Sequence, residues 1–404
     1  MKEVVVIGAG PSGLILSNSL AGEKFKVSII DQNSKIGKKL LTTGSGTCNF
    51  TNLNMSPERY HGENNRFIYS TLAEYSPDDL INFFGENGIL TIRKEDGRCY
   101  PRTLESRTFT NFFEAEIKRK NINLYLEEKV LDIKYHDSFE VVTDKRTFLP
   151  DILIIASGGK TYKNLGSDGS MFAIIDKLGH RLTKFSPAIC RISLFGDFFK
   201  KVKGTRFFSN LSLFENDKKL KSYYDEILFT DYGISGPAVL QLSSYALDIL
   251  NSNKDAYFSI DFLSEFSFEE CLNLFSYEFY KEVKFTLRTN LASKIKISLV
   301  DALFDEDFLK RYTNTFSIEE IKSIIDRLKN FKLKIKGYKD FDKAQVTRGG
   351  VDTREINPKT YESKIIKNLY FVGEVLDIDG DCGGFNLHFA FSSGLKAAKA
   401  ILGE

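Results

Sequence analysis

Three glycines, Gly8, Gly10 and Gly13, follow the apolar run VVVI, and an acid, Asp31, closes a second apolar run at 27–30. Gly8 permits a tight turn, Gly10 lets the backbone approach a pyrophosphate, and Gly13 lets a helix pack close to the strand, with its N-terminal amides toward the phosphates. Asp31 is placed to accept hydrogen bonds from an adenosine ribose. Glycines also collect in ordinary turns, but here strand, helix and acid all fall at the spacing a dinucleotide needs. Pro11 stands near the first helical position, where a missing amide hydrogen is tolerated. Near the other end, Gly383 and Gly384 precede a helix, so their amides either face an anion or form a plain helix entry.

The elements that must position these residues alternate in type. After the βαβ opening, the stretch IGKKLLTTGSGTCNFTN is too irregular for helix or strand and reads as an extended working loop. A capped helix of the SPDDL type is expected at 76–87 and another, with aromatics on one face, at 105–120. Short alternating runs at 123–125, 130–135, 139–143 and 147–149 predict a small meander, and 152–156 predicts a buried parallel strand delivering Ser157, Gly158 and Gly159 to the site. From about 188 the chain turns to short strands up to 261, then to helices between 268 and 330. An alternating run at 332–346, an apolar strand at 368–372 and a helix at 385–402 close it. The chain thus leaves its first domain, builds an insertion, and returns.

A length of 404 residues allows two domains, or one with a large insertion, and 42% hydrophobic with 27% charged residues is ordinary for a soluble protein. No apolar run is long enough to span a bilayer, the first strand does not read as a signal peptide, and cytoplasmic residence is the default expectation. Five scattered cysteines, Cys48, Cys99, Cys190, Cys271 and Cys382, lack the spacing of a disulfide framework, a zinc site or a dithiol pair, so no metal is expected. A net charge of +2 neither demands nor excludes a nucleic-acid partner. Basic runs at 118–120, 200–206 and 332–348 are compatible with RNA, or form solvated faces.

The order of parts resembles the flavoproteins of the glutathione-reductase superfamily, in which a late strand ends in Gly-Asp or Gly-Glu, matched here by Gly373 and Glu374. More narrowly, LTTGSGTCNFTN, GRCYPRT, ASGGKTYKNLGSDGSMFAI with LGH, EILFTDYGISGPAVLQLS, KAQVTRGGV and GEVLDIDGDCGGFNL together resemble the BaiN/YhiN-type, or aminoacetone-oxidase-like, flavoprotein family. The resemblance implies an α/β fold: a Rossmann-type, glutathione-reductase-like FAD domain from both chain ends (1–187 and 341–404). Between them it implies an inserted β-barrel (188–340) with a helical subdomain at about 265–330. The sequence departs from the family where Ser45 replaces a glycine, where Thr47 stands in place of an arginine, where Cys382 occupies a common threonine position, and where Arg348 precedes Gly349 and Gly350 instead of a small residue.

The residues expected at FAD are Gly8, Gly10, Pro11, Ser12, Gly13, Asp31, Gln32, Lys38, Lys39, Asn49, Val130, Ala156, Gly158, Gly373, Glu374, Gly383, Gly384, Phe385 and Asn386. Lys38 and Lys39 either neutralise the pyrophosphate or face solvent. Asn49 has a better claim on the flavin than Cys48, since an amide both donates and accepts, and Asn386 could add a side-chain bond. A reduced flavin is negative around N1 and O2, where the Gly383 and Gly384 amides would stabilise it. Only one fingerprint is present, so NAD(P)H would dock transiently as electron donor, or the substrate would supply the electrons.

Three activities follow. The first is reduction of an electron-poor C=C bond, with the resemblance suggesting uridine of large-subunit ribosomal RNA or a steroid-like enone. There Cys382, then His388 and Tyr100, are candidate proton donors. The second is oxidation of a small amine such as aminoacetone, with peroxide released. The third is a flavin-stabilised RNA-binding or assembly factor without turnover. The partner is a small molecule or ribosomal RNA, with no membrane and no DNA expected, and the oligomeric state is not legible.

Overall fold

A computed structural model describes residues 1–281 and 285–403. The chain divides into two compact units, Met1–Ala188 with Asp342–Glu404, and Ile189–Phe341. The first unit is built on a five-stranded sheet of β1 (Lys2–Ile7), β2 (Phe25–Asp31), β3 (Asn123–Leu126), β4 (Ile152–Ile155) and β5 (Leu369–Phe371), in the order β5-β4-β1-β2-β3. All neighbours are parallel, with Val4 opposite both Ile152 and Val27, and Leu153 opposite Leu369. β4 is buried along its whole length, which is why its sequence is unbroken ILII instead of alternating. Because β5 pairs with β4, the last part of the chain completes the sheet begun by the first.

Two helices frame the site, α1 (Pro11–Leu20) and α2 (Phe385–Leu402). They approach closely because Gly394 has no side chain: a Cβ there would lie 2.5 Å from the Ser12 carbonyl oxygen. Aromatic packing anchors α2 further. Phe84 meets Phe391 at 5.0 Å and Phe109 at 4.8 Å between ring centroids, both edge-on. Phe84 and Phe109 come from helices Pro77–Glu86 and Arg107–Arg119, the first opened by a capping box between Ser76 and Asp79. Each ring so buried contributes about 2–3 kcal/mol, so this cluster fixes α2 against the early helices.

Two expectations need correction. The run at 123–126 is not part of the meander: it pairs with β2 as an edge of the parallel sheet, and only Val130–Tyr135, Phe139–Thr143 and Thr147–Phe148 form the antiparallel set. Its partner lies about ninety residues upstream, so no local pattern could reveal it. The early glycine-bearing loop is also partly regular, with a 3₁₀ helix at Leu40–Gly46 and a short strand at Thr51–Asn52. That strand pairs with Arg98–Pro101, Thr51 opposite Cys99 and Asn52 opposite Arg98.

The second unit is a closed barrel of Ile192–Leu194, Gly233–Ser235, Lys218–Phe229, Arg206–Glu215, Ala256–Asp261 and Phe331–Tyr338, with helices including Phe268–Phe279 and Ile318–Lys329. A helix at Pro237–Asn251 lies where only strands were expected. Its core residues Val239, Leu242, Ala246 and Ile249 recur at helical spacing, started by Pro237 in the first turn. Among the described residues no helix is long and apolar enough to cross a membrane.

Candidate active site

The first turn is shaped by sterics. Gly8 has φ +113°, and a Cβ there would lie 2.3 Å from the Ala156 carbonyl oxygen; at Gly13 it would lie 2.1 Å from the Gly8 carbonyl oxygen. At Gly10 a Cβ would meet nothing within 4 Å, so that glycine serves space outside the protein. α1 carries no side-chain cap, which leaves its N-terminus to a ligand. Gly8, Asp31, Gln32, Val130 and Gly158 line one cleft with Ser157, Gly166 and Asp168, and the hydroxyls of Ser157 and Ser167 are buried with no partner among the described residues. A glycine facing open space, an uncapped helix and orphaned hydroxyls are what a site for the phosphate and ribose part of a dinucleotide requires.

Asp31 does more than face the cleft. One carboxylate oxygen accepts the Ala9 amide at 2.7 Å and the other accepts the backbone and side-chain amides of Asn33 at 2.7 and 2.9 Å. Burial nevertheless raises its pKa. Each carboxylate oxygen still has lone pairs for a ribose, but half of the residue's work is to hold the turn. Gln32 donates to the Gly166 carbonyl at 2.8 Å and Lys38 lies near enough to Asp31 to favour its charge. Ala156 is buried, and its amide donates to the Ile7 carbonyl, so it packs the turn.

Lys39 and Glu374 have each other. Lys39 Nζ lies 2.8 Å from Glu374 Oε2 and 3.1 Å from Thr161 Oγ1, and Glu374 Oε1 accepts the Thr347 amide at 2.9 Å. Lys39 is therefore neither a plain pyrophosphate cation nor a solvated one: it ties the early loop to the last. Gly373 sits on the head of α1, its amide donating to Ser393 Oγ at 3.0 Å, while Ser12 Oγ donates to the Val372 carbonyl at 3.4 Å. The two chain ends thus meet at one place.

At the start of α2, Gly384 has φ +100° and no side-chain cap, and a Cβ would lie 2.6 Å from the Thr51 carbonyl and 2.7 Å from Asn49 Oδ1. Asn49 Oδ1 is itself buried without a partner among the described residues. Asn52 donates to the Gly383 carbonyl at 2.8 Å. Two of the expected residues have protein partners for their side chains here. Asn386 closes both ends of its amide on Gly380, accepting its N–H at 2.8 Å and donating to its carbonyl at 2.7 Å, so it clamps the loop and is not aimed at a ring. Phe385 turns its ring into the core edge-on to Tyr60, leaving only backbone to the site.

Among the proton-donor candidates His388 is removed by its surroundings. It is fully buried, Nδ1 lies 2.8 Å from Thr51 Oγ1, and Nε2 lies 3.1 Å from the Tyr75 carbonyl, which can only accept. Nε2 therefore carries the hydrogen and Nδ1 accepts from Thr51. Burial drives its pKa to about 4, so it is a neutral structural residue. Tyr100 stands on Arg98–Pro101 and hydrogen-bonds Arg98. Cys382 is the one cysteine that is not buried.

The loop carrying Cys382 is held residue by residue. Arg348 pairs with Asp379 through two bonds of 3.0 and 3.1 Å, and His61 and Arg59 hold Asp381 at 2.8 and 3.3 Å. The Arg348 departure is thus answered by a buried carboxylate. Thr47 donates to the Gly44 carbonyl at 2.6 Å and closes its own turn instead of offering a cation. Sequence reasoning missed Asn33, Asn52, Arg98 and Thr347, although LTTGSGTCNFTN, GRCYPRT and KAQVTRGGV contain the last three. Among the described residues no group of three His, Cys, Asp or Glu side chains is arranged to hold a metal.

With this geometry in place, residues 2–400 match the family profile described as the HI0933-like protein Rossmann domain. The chain belongs to the HI0933-like family. This is a family of FAD-dependent oxidoreductases, in agreement with the recognised motifs. The chain is 32% identical over 408 residues to the 3-dehydro-bile acid delta(4,6)-reductase of Clostridium scindens, covering 99% of each. It is 31% identical to the ribosomal RNA dihydrouridine synthase of Haemophilus influenzae, covering 99% of this chain and 98% of that one. The fold is also similar to the 3-ketosteroid delta1-dehydrogenase of Sterolibacterium denitrificans, at TM-score 0.53, 9% identity and full coverage of both chains.

Proposed function

We propose that this HI0933-like protein reduces a carbon–carbon double bond conjugated to a carbonyl group. The observation that carries the reading is that two full-length relatives with different names share this step, since a 3-oxo bile acid with delta(4,6) unsaturation and the C5=C6 bond of uridine are both conjugated alkenes. FAD, when bound, supplies hydride chemistry. The amides at the head of α1, with Gly10 beside them, would hold its pyrophosphate, Asp31 and Gln32 the ribose, and Asn49, Gly383 and Gly384 its ring end. NAD(P)H docking transiently is the proposed source of electrons.

What the chain's own side chains contribute is proton control. Cys382 Sγ is the group proposed to protonate the carbon next to the one that gains hydride, while Tyr100 and Arg98 stand on the strand whose partner Asn52 holds the neighbouring Gly383. Neutral, buried His388 holds Thr51 and the Tyr75 carbonyl. Two substrates fit. Uridine in large-subunit ribosomal RNA is supported by relatives from Haemophilus influenzae and Escherichia coli, the latter 28% identical. A steroid-like enone is favoured by electrostatics: Lys200, Lys203, Arg206, Lys332 and Lys334 are each paired with an acid (Asp197, Asp231, Glu226, Asp217, Asp255), which weakens the field an RNA backbone would feel.

The test is anaerobic. The purified yellow protein is bleached with NADPH and then offered uridine-containing ribosomal RNA or a 3-oxo-4-ene steroid, and the product is read by mass spectrometry. Reoxidation by either, with the saturated product formed, supports the reading. No reoxidation by either overturns it. Mapping dihydrouridine in ribosomal RNA from cells with and without the gene then separates the two substrates.

A further inference from the structure

Asn52 and Arg98 face each other across the short strand pair, and the Asn52 amide reaches over to hold the Gly383 carbonyl at 2.8 Å. Asn52 is itself buried and fixed, its Oδ1 accepting the Asn54 amide at 2.9 Å. This bridge lays the Cys382 turn onto the strand that carries Arg98 and Tyr100. Arg98 Nε is pinned by Asp96 at 3.2 Å and its guanidinium also hydrogen-bonds Tyr100. On the other side of Cys382, Asp381 is engaged by His61 and Arg59 and does not oppose a charge on sulfur alone.

Building on the reductase reading, we propose that Arg98 is a positioning residue for the proton donor: it shares a strand-pair face with Asn52, which holds Gly383 next to Cys382, and from there its guanidinium stabilises the thiolate left when the proton departs. In that step the S–H bond breaks, its electron pair stays on sulfur, a C–H bond forms on the carbanionic carbon, and water returns the proton afterwards. Burial works against the Arg98 charge, yet its surroundings, Asp96 first among the groups that favour it, raise its pKa. The other thiols are poor competitors, because burial pushes Cys48 and Cys190 up to about 12, Cys99 to about 11, and Cys271 upward.

Iodoacetamide alkylation of the folded full-length protein, followed by peptide mass spectrometry between pH 6 and 10, reads this directly and needs no substrate. Labelling is expected at Cys382 and is abolished by Cys382→Ser. Arg98→Gln is expected to move the midpoint of the rate profile up by about 1 pH unit, and Arg98→Lys to move it less. An unchanged midpoint in Arg98→Gln overturns the proposal. Thermal melting confirms that each variant is folded; should the glutamine variant fail, Arg98→Met reads the same midpoint, an upward shift supporting the proposal and an unchanged one overturning it. Turnover separates this from the reductase reading: an Arg98-dependent thiol in a protein that reduces neither substrate leaves this proposal standing and removes that one, and the converse result does the opposite.

Discussion

Four histidines serve 404 residues, and the one nearest the glycine pair is not a catalyst. His388 is closed in by Thr51, Tyr75 and the turns of its own helix, so charging it in place would leave a cation in apolar surroundings. Arg348 shows the opposite case, a charge that the family pattern does not ask for and that the fold accommodates. Its partner Asp379 is 1% exposed, so Arg348→Ala takes the guanidinium away from a buried carboxylate and is expected to destabilise by about 3–5 kcal/mol. Urea unfolding checks this, and adding Asp379→Asn should recover a large part of the loss. Asn386→Ala frees both Gly380 backbone groups, and a loss of about 2 kcal/mol is expected with slackening of the Cys382 loop, visible as faster amide exchange at 379–384.

At the scale of elements, the α1 turn separates glycines that serve the fold from a glycine that serves a ligand. Gly13→Ala pushes a methyl into the Gly8 carbonyl and is expected to lower stability by more than about 2 kcal/mol with or without cofactor. Gly10→Ala meets no protein atom within 4 Å. It should leave the melting temperature of the stripped protein nearly unchanged, within about 1 kcal/mol of stability, while reducing FAD retained per chain several-fold. Equal loss of stability in both variants would contradict the assignment of Gly10 to the cofactor. These two positions were readable in advance because their sterics are local. The role of Asn386 was not, because its clamp depends on where the loop at Gly380 comes to rest.

For the molecule as a whole, buried titrating groups set the response to acid. His388 and His180 are both driven down to about 4 by burial, so the unfolded chain binds their protons first. The stability they contribute is full above about 6.5 and is lost as pH falls toward 4, reaching about 2 kcal/mol each at pH 5. Asp377 runs the other way: burial lifts it to about 6, so its contribution is present in acid and lost as pH rises through that value. Two histidines outweigh one carboxyl, and the melting temperature is expected to fall between pH 7 and pH 5, less steeply in His388→Gln. Differential scanning calorimetry across that range measures both slopes.

By itself the sequence determined the dinucleotide turn, the uninterrupted β4, the capped helix after Ser76, the return of the chain at 368–402 and the family, because glycine sterics, caps and apolar periodicity act over a few residues. Only the tertiary structure decided which polar groups meet. It took 123–125 from a meander into the sheet, joined Lys39 to Glu374, withdrew His388, and tied Asn52 to Gly383. Those pairings depend on packing between segments from about ninety to more than three hundred residues apart, where burial decides whether a charge needs a partner and no local pattern names it.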